Sequence, residues 1–248
     1  MNIQNLGLLF IVGAVAGFIN VNAGGGSSLT LPTLIFLGLD GALANGTNRV
    51  ALVIQNIFAI ASFKKRKVHS FGLSSRLSLL TLPGAIIGAM LATGVDNLLF
   101  QRILGVVLVF IVLSMFFARS YTNREVGPDH KPSWLLYPAL VGIGFYGGFL
   151  QIGVGFLFMA CLYHLLEPNL VRVNMHKVFI VLIYMVPTII VFALSSKINW
   201  TYGLALGAGN AIGAWWGAHA SVKGGEKLIR IVLAIAIFIM ALKLFGLF

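Results

Sequence analysis

Acidic side chains are scarce in this sequence. Six aspartates and glutamates stand against seventeen lysines and arginines in 248 residues. All six (Asp40, Asp96, Glu125, Asp129, Glu167 and Glu226) fall in expected loops or at helix ends. A cation site or carboxylate proton relay inside a bilayer needs an acid at depth, so this distribution counts against both. Cysteine is nearly absent too. Cys161 alone, in an apolar run, excludes an intrachain disulfide and a thiolate metal site. The chain lacks an HExxH motif, paired aspartates in helices and a serine–histidine pair at the spacing of an intramembrane protease, so an enzyme is not expected. Basic residues do not cluster densely enough to neutralise a row of phosphates. No nucleic acid, cofactor or metal is expected. The N-terminal "MNIQN" has no basic run and no cleavage site follows it, so Leu6 onward reads as mature protein.

What remains is apolar. Hydrophobic residues make up 59% of the chain and charged ones 9%, a balance that only a polytopic membrane protein can solvate. Apolar blocks run over 6–39, 43–63, 71–93, 98–118, 134–166, 172–195, 200–220 and 226–247. Six have the length of a single crossing. The blocks 6–39 and 134–166 are too long for one straight crossing, and each is interrupted by glycine, at "NAGGGSS" and "GFYGGFLQIGVG".

The two long blocks also match each other. An ungapped offset of 129 pairs Gly13 with Gly142, Gly24 with Gly153, Gly26 with Gly155 and Asn45 with Asn174. A looser echo relates "PGAIIGA" (83–89) to "GNAIGAWWG" (209–217). The chain therefore divides into a first repeat, 1–118, a polar linker, 119–133, and a second repeat, 134–248. Charge decides how the broken blocks lie. If each crosses once, the basic residues split 10 to 7 between the two sides; if each is a re-entrant hairpin, they split 13 to 4. The positive-inside rule favours hairpins. Each repeat then crosses three times, and the second is inverted relative to the first. The expected fold is an all-α integral membrane protein of two inverted repeats, each a broken re-entrant hairpin plus three transmembrane helices. The loop Lys64, Lys65, Arg66, Lys67 and the linker 119–133 would be cytoplasmic, and both termini extracytoplasmic.

In that arrangement the hairpin tips meet near the midplane. Residues 27–39 would form a half-helix whose free N–H groups and positive dipole end point into the membrane. Gly24, Gly25 and Gly26 let backbone approach a ligand, and Ser27 and Ser28 can cap the helix or donate. Together with Asn22 they form a candidate anion site. The second tip offers Gln151, Gly153 and Gly155. The following crossings supply Asn45, Asn48 and Arg49 in one repeat and Asn174, His176 and Lys177 in the other. Arg49 and Lys177 either attract and gate an anion or snorkel to headgroups. His176 either titrates near neutral pH or is structural. Gln55 and Asn56 either line the path or join helices. Trp134, Trp200 and Tyr202 suit interfacial belts, whereas Trp215 and Trp216 read as packing. Pro83 and Pro187 sit inside crossings.

These motifs, "GFINVNAGGGSSLTLPTLIFLGL…ANGTNR", its looser copy "GFYGGFLQIGVGFLFMACLYHLL…VNMHK" and the basic loop at 63–70, resemble the sulfite exporter TauE/SafE family, also called the toluene-sulfonate uptake permease family. The resemblance covers essentially the whole chain. The second copy departs from the first, with Val154 and Phe156 where the first has glycine and serine. The resemblance implies a bacterial or archaeal inner-membrane permease for small sulfur-containing anions such as sulfite or sulfoacetate. Outward movement of an anion down an inside-negative potential needs no coupling ion, so export is expected. An anion channel, or an uptake permease for another small oxyanion or carboxylate, is the alternative. The expected partners are a small anionic substrate and membrane lipid; self-association into a homodimer stays open.

Overall fold

The computed structural model describes residues 3–116 and 132–244, and every regular element among them is helical. In chain order these are α1 (Ile3–Ala23), α2 (Ser27–Phe36), α3 (Gly41–Lys65), α4 (Phe71–Gly94), α5 (Asn97–Phe116), α6 (Leu136–Phe149), α7 (Val154–Leu165), α8 (Leu170–Leu194) and α9 (Trp200–Leu244). Gly225, at φ 57° and ψ −155°, breaks α9 into two. Linker residues 119–131, including Glu125 and Asp129, lie outside the described residues.

Local chemistry repeats with the same offset of 129 seen in the sequence. The Asp40 carboxylate accepts from the Leu43 N–H at 2.7 Å and starts α3. The Asn169 side chain accepts from the Arg172 N–H at 3.0 Å and starts α8. Both are side-chain N-caps, which satisfy a donor that the helix cannot. The two helices are 25 residues each, and their first and last residues correspond at that offset. Gly24 and Gly153, also paired, both take the left-handed conformation, at φ 84° and 67°.

Packing follows the same exchange. Each broken block packs its first helix most extensively on a plain helix of the other half, α1 on α9 and α6 on α4, and α3 also packs extensively on α9. Glycine makes both broken-block seams. A Cβ on Gly213 would lie 2.0 Å from the Ala14 carbonyl oxygen of α1, and one on Gly84 would lie 2.2 Å from the Val141 carbonyl oxygen of α6. Gly84 and Gly213 are themselves repeat mates. Lipid tails offer no hydrophobic drive between helices, so close backbone approach at small residues holds such pairs together. At this seam the better alignment of the two halves is ungapped, 83–89 on 212–218, rather than the looser echo at 209–217.

Both broken blocks fold back. The Ser133 N–H donates to the Leu165 carbonyl at 2.9 Å, so the second block enters and leaves at one level. In the first, a Cβ on Gly26 would lie 2.3 Å from the Ala16 carbonyl oxygen. An unbroken helix would carry Gly26 roughly 15 Å beyond Ala16. Helix α1 has the length and hydropathy of a full crossing, but its end does not leave the protein. Its return arm α2 has ten residues, about 15 Å, half of a hydrocarbon core of about 30 Å. Exposed Leu79, Ile87, Met90, Ile190 and Leu204 coat the outside, as lipid contact requires.

Chain ends gather at two levels. At one, Lys197 approaches Asp40 (3.8 Å), the Gly41 N–H donates to Asn97 and Asn5 donates to Tyr202. At the other lie the Ser133–Leu165 contact and the Glu167–Arg172 ion pair. Cysteines placed at Asp40, Asp96 and Lys197 in a Cys161→Ser background should therefore all react with a membrane-impermeant thiol reagent from one face of sealed vesicles. Cysteines at Lys67 and Arg172 should react only from the other. A split within either group would refute the hairpins.

Candidate anion site at the hairpin tips

The two tips touch backbone to backbone. A Cβ on Gly24 would lie 2.3 Å from the Gly155 carbonyl carbon, and one on Gly155 would lie 2.3 Å from the Gly24 Cα. No side chain fits at either position. Gln151 also adopts positive φ, 56°, which costs a non-glycine residue about 1–3 kcal/mol. Its amide holds the turn by donating to the Asn45 carbonyl at 3.1 Å.

A narrow cavity lies beside this contact. Its polar lining is Asn20, Ser27, Gln55, Asn56 and Lys177; Leu52, Val178 and Val181 close it, with Val154 and Gly155 from the second tip. The first turns of α2 and α7 therefore border one space. The Ser28 and Leu29 N–H groups are engaged by Gly25 and Gly26 carbonyls, and the Gly26 N–H by the Asn20 side chain at 3.3 Å. Among the described residues, the Gly25 and Ser27 N–H groups have no partner. The Ser28 hydroxyl donates to the Gly25 carbonyl.

Lys177 and Arg49 are both buried, so neither snorkels. The Lys177 ammonium donates to the Asn20 carbonyl (3.0 Å), the Val21 carbonyl (2.8 Å) and the Asn174 side-chain oxygen (2.8 Å). Two of those acceptors are end carbonyls of α1; the Asn20 carbonyl also accepts the Gly24 N–H at 2.8 Å, while the Val21 carbonyl is among the last ones the helix leaves free. Arg49 does the same for the other broken block. One terminal nitrogen donates to the Gly148 carbonyl near the end of α6, the other to Thr188 at 3.1 Å. Each cation thus comes from the plain helix of one half and covers the negative helix end of the other.

The remaining predicted residues hold this frame. Asn45 donates to the Phe149 carbonyl at 2.8 Å and Asn174 approaches the Asn22 carbonyl at 3.5 Å. Asn48 is buried with both amide atoms unpartnered. Gly153 makes the left-handed turn into α7. Two sequence-based placements need correction. Asn22 does not face the cavity: its amide donates to the Phe18 and Gly217 carbonyls, fastening α1 to α9. Asn20, two residues earlier and some 200° round the helix, is the one that does. His176 lies away from the tips, with the Ser74 hydroxyl 2.8 Å from Nδ1 and the Glu167 carboxylate 3.1 Å from Nε2. This chain ties α4 to α8 and to the mouth of the second hairpin. Gln55 and Asn56, open between two roles in the sequence, line the cavity. Trp215 stacks under Lys65 at 5.7 Å, while Trp216 faces outward.

Partial burial pushes the Glu167 carboxyl up, but the His176 hydrogen bond and the neighbouring Arg172 charge outweigh it, leaving it below the ordinary glutamate range. A depressed carboxylate contributes stability above its unfolded pKa, about 4.3, and loses it as pH falls through the folded value. Melting temperature in detergent should therefore drop below about pH 4 more steeply for the parent than for Glu167→Gln. Equal acid slopes for the two proteins would contradict the pairing.

With the geometry in place, comparison with known proteins adds a name to the architecture. The family model described as "Sulfite exporter TauE/SafE" matches residues 9–244. A "Probable membrane transporter protein" of Haemophilus influenzae is 29% identical over 248 residues, covering 98% of this chain and 96% of the relative. The Escherichia coli K12 "Probable membrane transporter protein YfcA" is 29% identical over 241 residues, covering 96% and 89%. The Bacillus subtilis "Probable membrane transporter protein YjnA" is 27% identical over 267 residues, covering 98% and 100%. No solved structure matches the chain. A helical, multi-pass chain matched by one family model over nearly its whole length belongs to the sulfite exporter TauE/SafE family of membrane transporters.

Proposed function

We propose that this permease moves a small sulfur-containing oxyanion such as sulfite or sulfoacetate, and exports it. The observation that carries this reading is the cavity at the tips. Two half-helix N-termini and a buried ammonium border one space, and no carboxylate lines it. Broken helices pointing their N-termini at an anionic group near the midplane are a recurring transporter device. The anion would accept from the Gly25 and Ser27 N–H groups and the Ser27 hydroxyl, with Gln55 and Asn56 as further donors.

The two cations act indirectly. A hairpin sets the negative end of its first helix beside the positive end of its second, and the two fields, each about half a charge, oppose one another. Lys177 neutralises the end of α1, so the positive end of α2 is left dominant. Arg49 does so for α6 and thereby for α7. Each exposed dipole end contributes about 0.3–1 kcal/mol, and about 2 kcal/mol when partly buried. Two such ends with several hydrogen bonds suit the micromolar-to-millimolar affinity that a substrate which must leave again requires.

Direction follows from charge. An inside-negative potential drives each negative charge outward by about 2.3 kcal/mol per 100 mV. With the basic loop 64–67 and the linker 119–133 on the cytoplasmic side, the cavity lies nearer the cytoplasm: Gln55 and Asn56 sit towards the α3 end that carries this loop.

The test is anion binding to purified protein, by calorimetry or thermal shift, with sulfite, sulfoacetate, thiosulfate, sulfate and simple carboxylates. A sulfur oxyanion should bind. Gly25→Leu should abolish the signal, and Ser27→Ala should weaken it about 10- to 150-fold, the loss of one hydrogen bond to a charged partner. Binding that survives Gly25→Leu unchanged would place the anion elsewhere.

A further inference from the structure

The cavity at the tips has a repeat mate. Carried across the offset of 129, Lys177 and Val178 become Asn48 and Arg49, and Gln55 and Asn56 become Tyr184 and Met185. Leu52 and Val181 exchange with each other, which places them where the two images meet. The structure brings Arg49 and Met185 together, sets Tyr184 against the same stretch of α6, and keeps Asn48 next to Arg49 in the chain. The Arg49 guanidinium lies 3.7 Å from the Met185 sulfur and bonds the Gly148 carbonyl. The position of a Cβ on neighbouring Gly147 lies 2.7 Å from the Tyr184 hydroxyl. Asn48 precedes Arg49 on α3, one turn from Leu52.

This cluster is short of partners. Asn48, Arg49 and Tyr184 are all buried. Both amide atoms of Asn48, the Arg49 Nε and the Tyr184 hydroxyl have no hydrogen bond among the described residues. No described carboxylate pairs with Arg49; Asp40 approaches Lys197, and Glu167 pairs with Arg172 and His176. The remaining neighbours of Arg49 are the Thr188 hydroxyl, which accepts from it at 3.1 Å, and the Phe192 ring, 4.5 Å away. A buried cation without a counter-charge, in a region where Asn48, Tyr184 and its own Nε have no hydrogen bond, is costly unless an anion visits it. It also stands on the far side of the Leu52–Val181 pair. Residues 48 and 49 lie towards the Asp40 end of α3, and 184 towards the Leu194 end of α8, whereas Gln55 and Lys177 lie towards the opposite ends.

We propose that Asn48, Arg49 and Tyr184 form a second oxyanion station, which receives the anion from the tip cavity and faces the opposite side of the membrane. This rests on the oxyanion reading above and deepens it. In a protein built from two inverted halves, exchanging the conformations of the halves exchanges the environments of mate residues. The opening now beside Lys177 and Gln55 would then appear beside Asn48 and Tyr184. Leu52 and Val181 form the partition that the anion passes. The two stations are not chemically equal. Phe149 and Phe156 stand at the positions of Asn20 and Ser27, so the second holds the anion with fewer donors and releases it more readily, as an exit station should.

Tyr184→Phe tests this with little threat to folding, because the hydroxyl it removes has no partner to lose. In liposomes loaded with sulfite, counterflow of radiolabelled sulfite should fall about tenfold, the loss of one hydrogen bond to an anion, while equilibrium binding at the tip cavity stays within about twofold. Asn48→Cys in a Cys161→Ser background should react with an anionic methanethiosulfonate from the face on which Asp40 lies, and sulfite should slow that reaction. Parent-like counterflow by Tyr184→Phe, or an Asn48→Cys protein that transports yet never reacts, would overturn the second station. Parent protein that binds none of sulfite, sulfoacetate, thiosulfate and sulfate would instead defeat the oxyanion reading itself.

Discussion

The contact between Gly24 and Gly155 is the constraint on which the rest of the molecule depends. Two re-entrant turns approach until only hydrogen-sized substituents fit between their backbones. A membrane interior has no water for a free N–H or C=O group, so irregular backbone at that depth survives only inside protein. The turns are therefore enclosed by α3 and α8, and those helices join Asn20 of α1 and Gln151 of the second turn in satisfying them. Asn45 and Gln151 hold the second tip, Asn20 and Lys177 the first. Polar residues that look out of place in a transmembrane helix are explained by the broken ends they serve.

The same constraint accounts for the crossed packing of the halves. A hairpin that reaches the midplane cannot be shielded by its own repeat alone, because its tip meets a tip from the other side. Each broken block consequently packs most extensively on a plain helix of the opposite half, α1 on α9 and α6 on α4. Glycine at matched positions of both seams keeps the backbones close enough for dispersion to act.

Much of this was legible in the sequence, and the limits of that legibility are physical. Block length and glycine placement identified the broken helices. Basic-residue counts favoured hairpins over single crossings. An offset of 129 then matched glycines and asparagines that the structure shows in equivalent conformations, as at Gly24 and Gly153. The site was readable only in outline. Asn20 and Asn22 both interrupt an apolar helix, and which one faces the cavity depends on the rotation of α1 against α9, a tertiary quantity set by the Gly213 and Gly217 contacts. Arg49 and Lys177 were visible as cations near helix starts. Composition could not tell that they bond carbonyls 99 and 156 residues away. Ser74, Thr188 and Tyr184 carry no sequence signal of their own, since a single hydroxyl on an apolar helix is unremarkable until its partner is known.

A broken helix by itself is a poor anion site, because its two ends lie side by side with opposite sign. What gives the tips a net preference is the covering of only the negative ends. Had acids been placed at the α2 and α7 N-termini instead, the exposed α1 and α6 carbonyls would dominate and the same backbone would attract a cation. On the proposed reading, the sign of the solute is set by which helix ends are capped by side chains, and here the caps are a lysine and an arginine on carbonyls. Mobile counter-charge is what such a frame lacks. Two buried cations face no described carboxylate, and the dipole ends they expose are positive as well, an arrangement that the proposed anion would stabilise. A carrier built this way gains from holding its substrate and needs asymmetry between its two stations to let it go. On the two-station proposal, the replacement of Asn20 and Ser27 in one repeat by Phe149 and Phe156 in the other would supply that asymmetry. The degeneracy of the second copy then reads as a requirement of release.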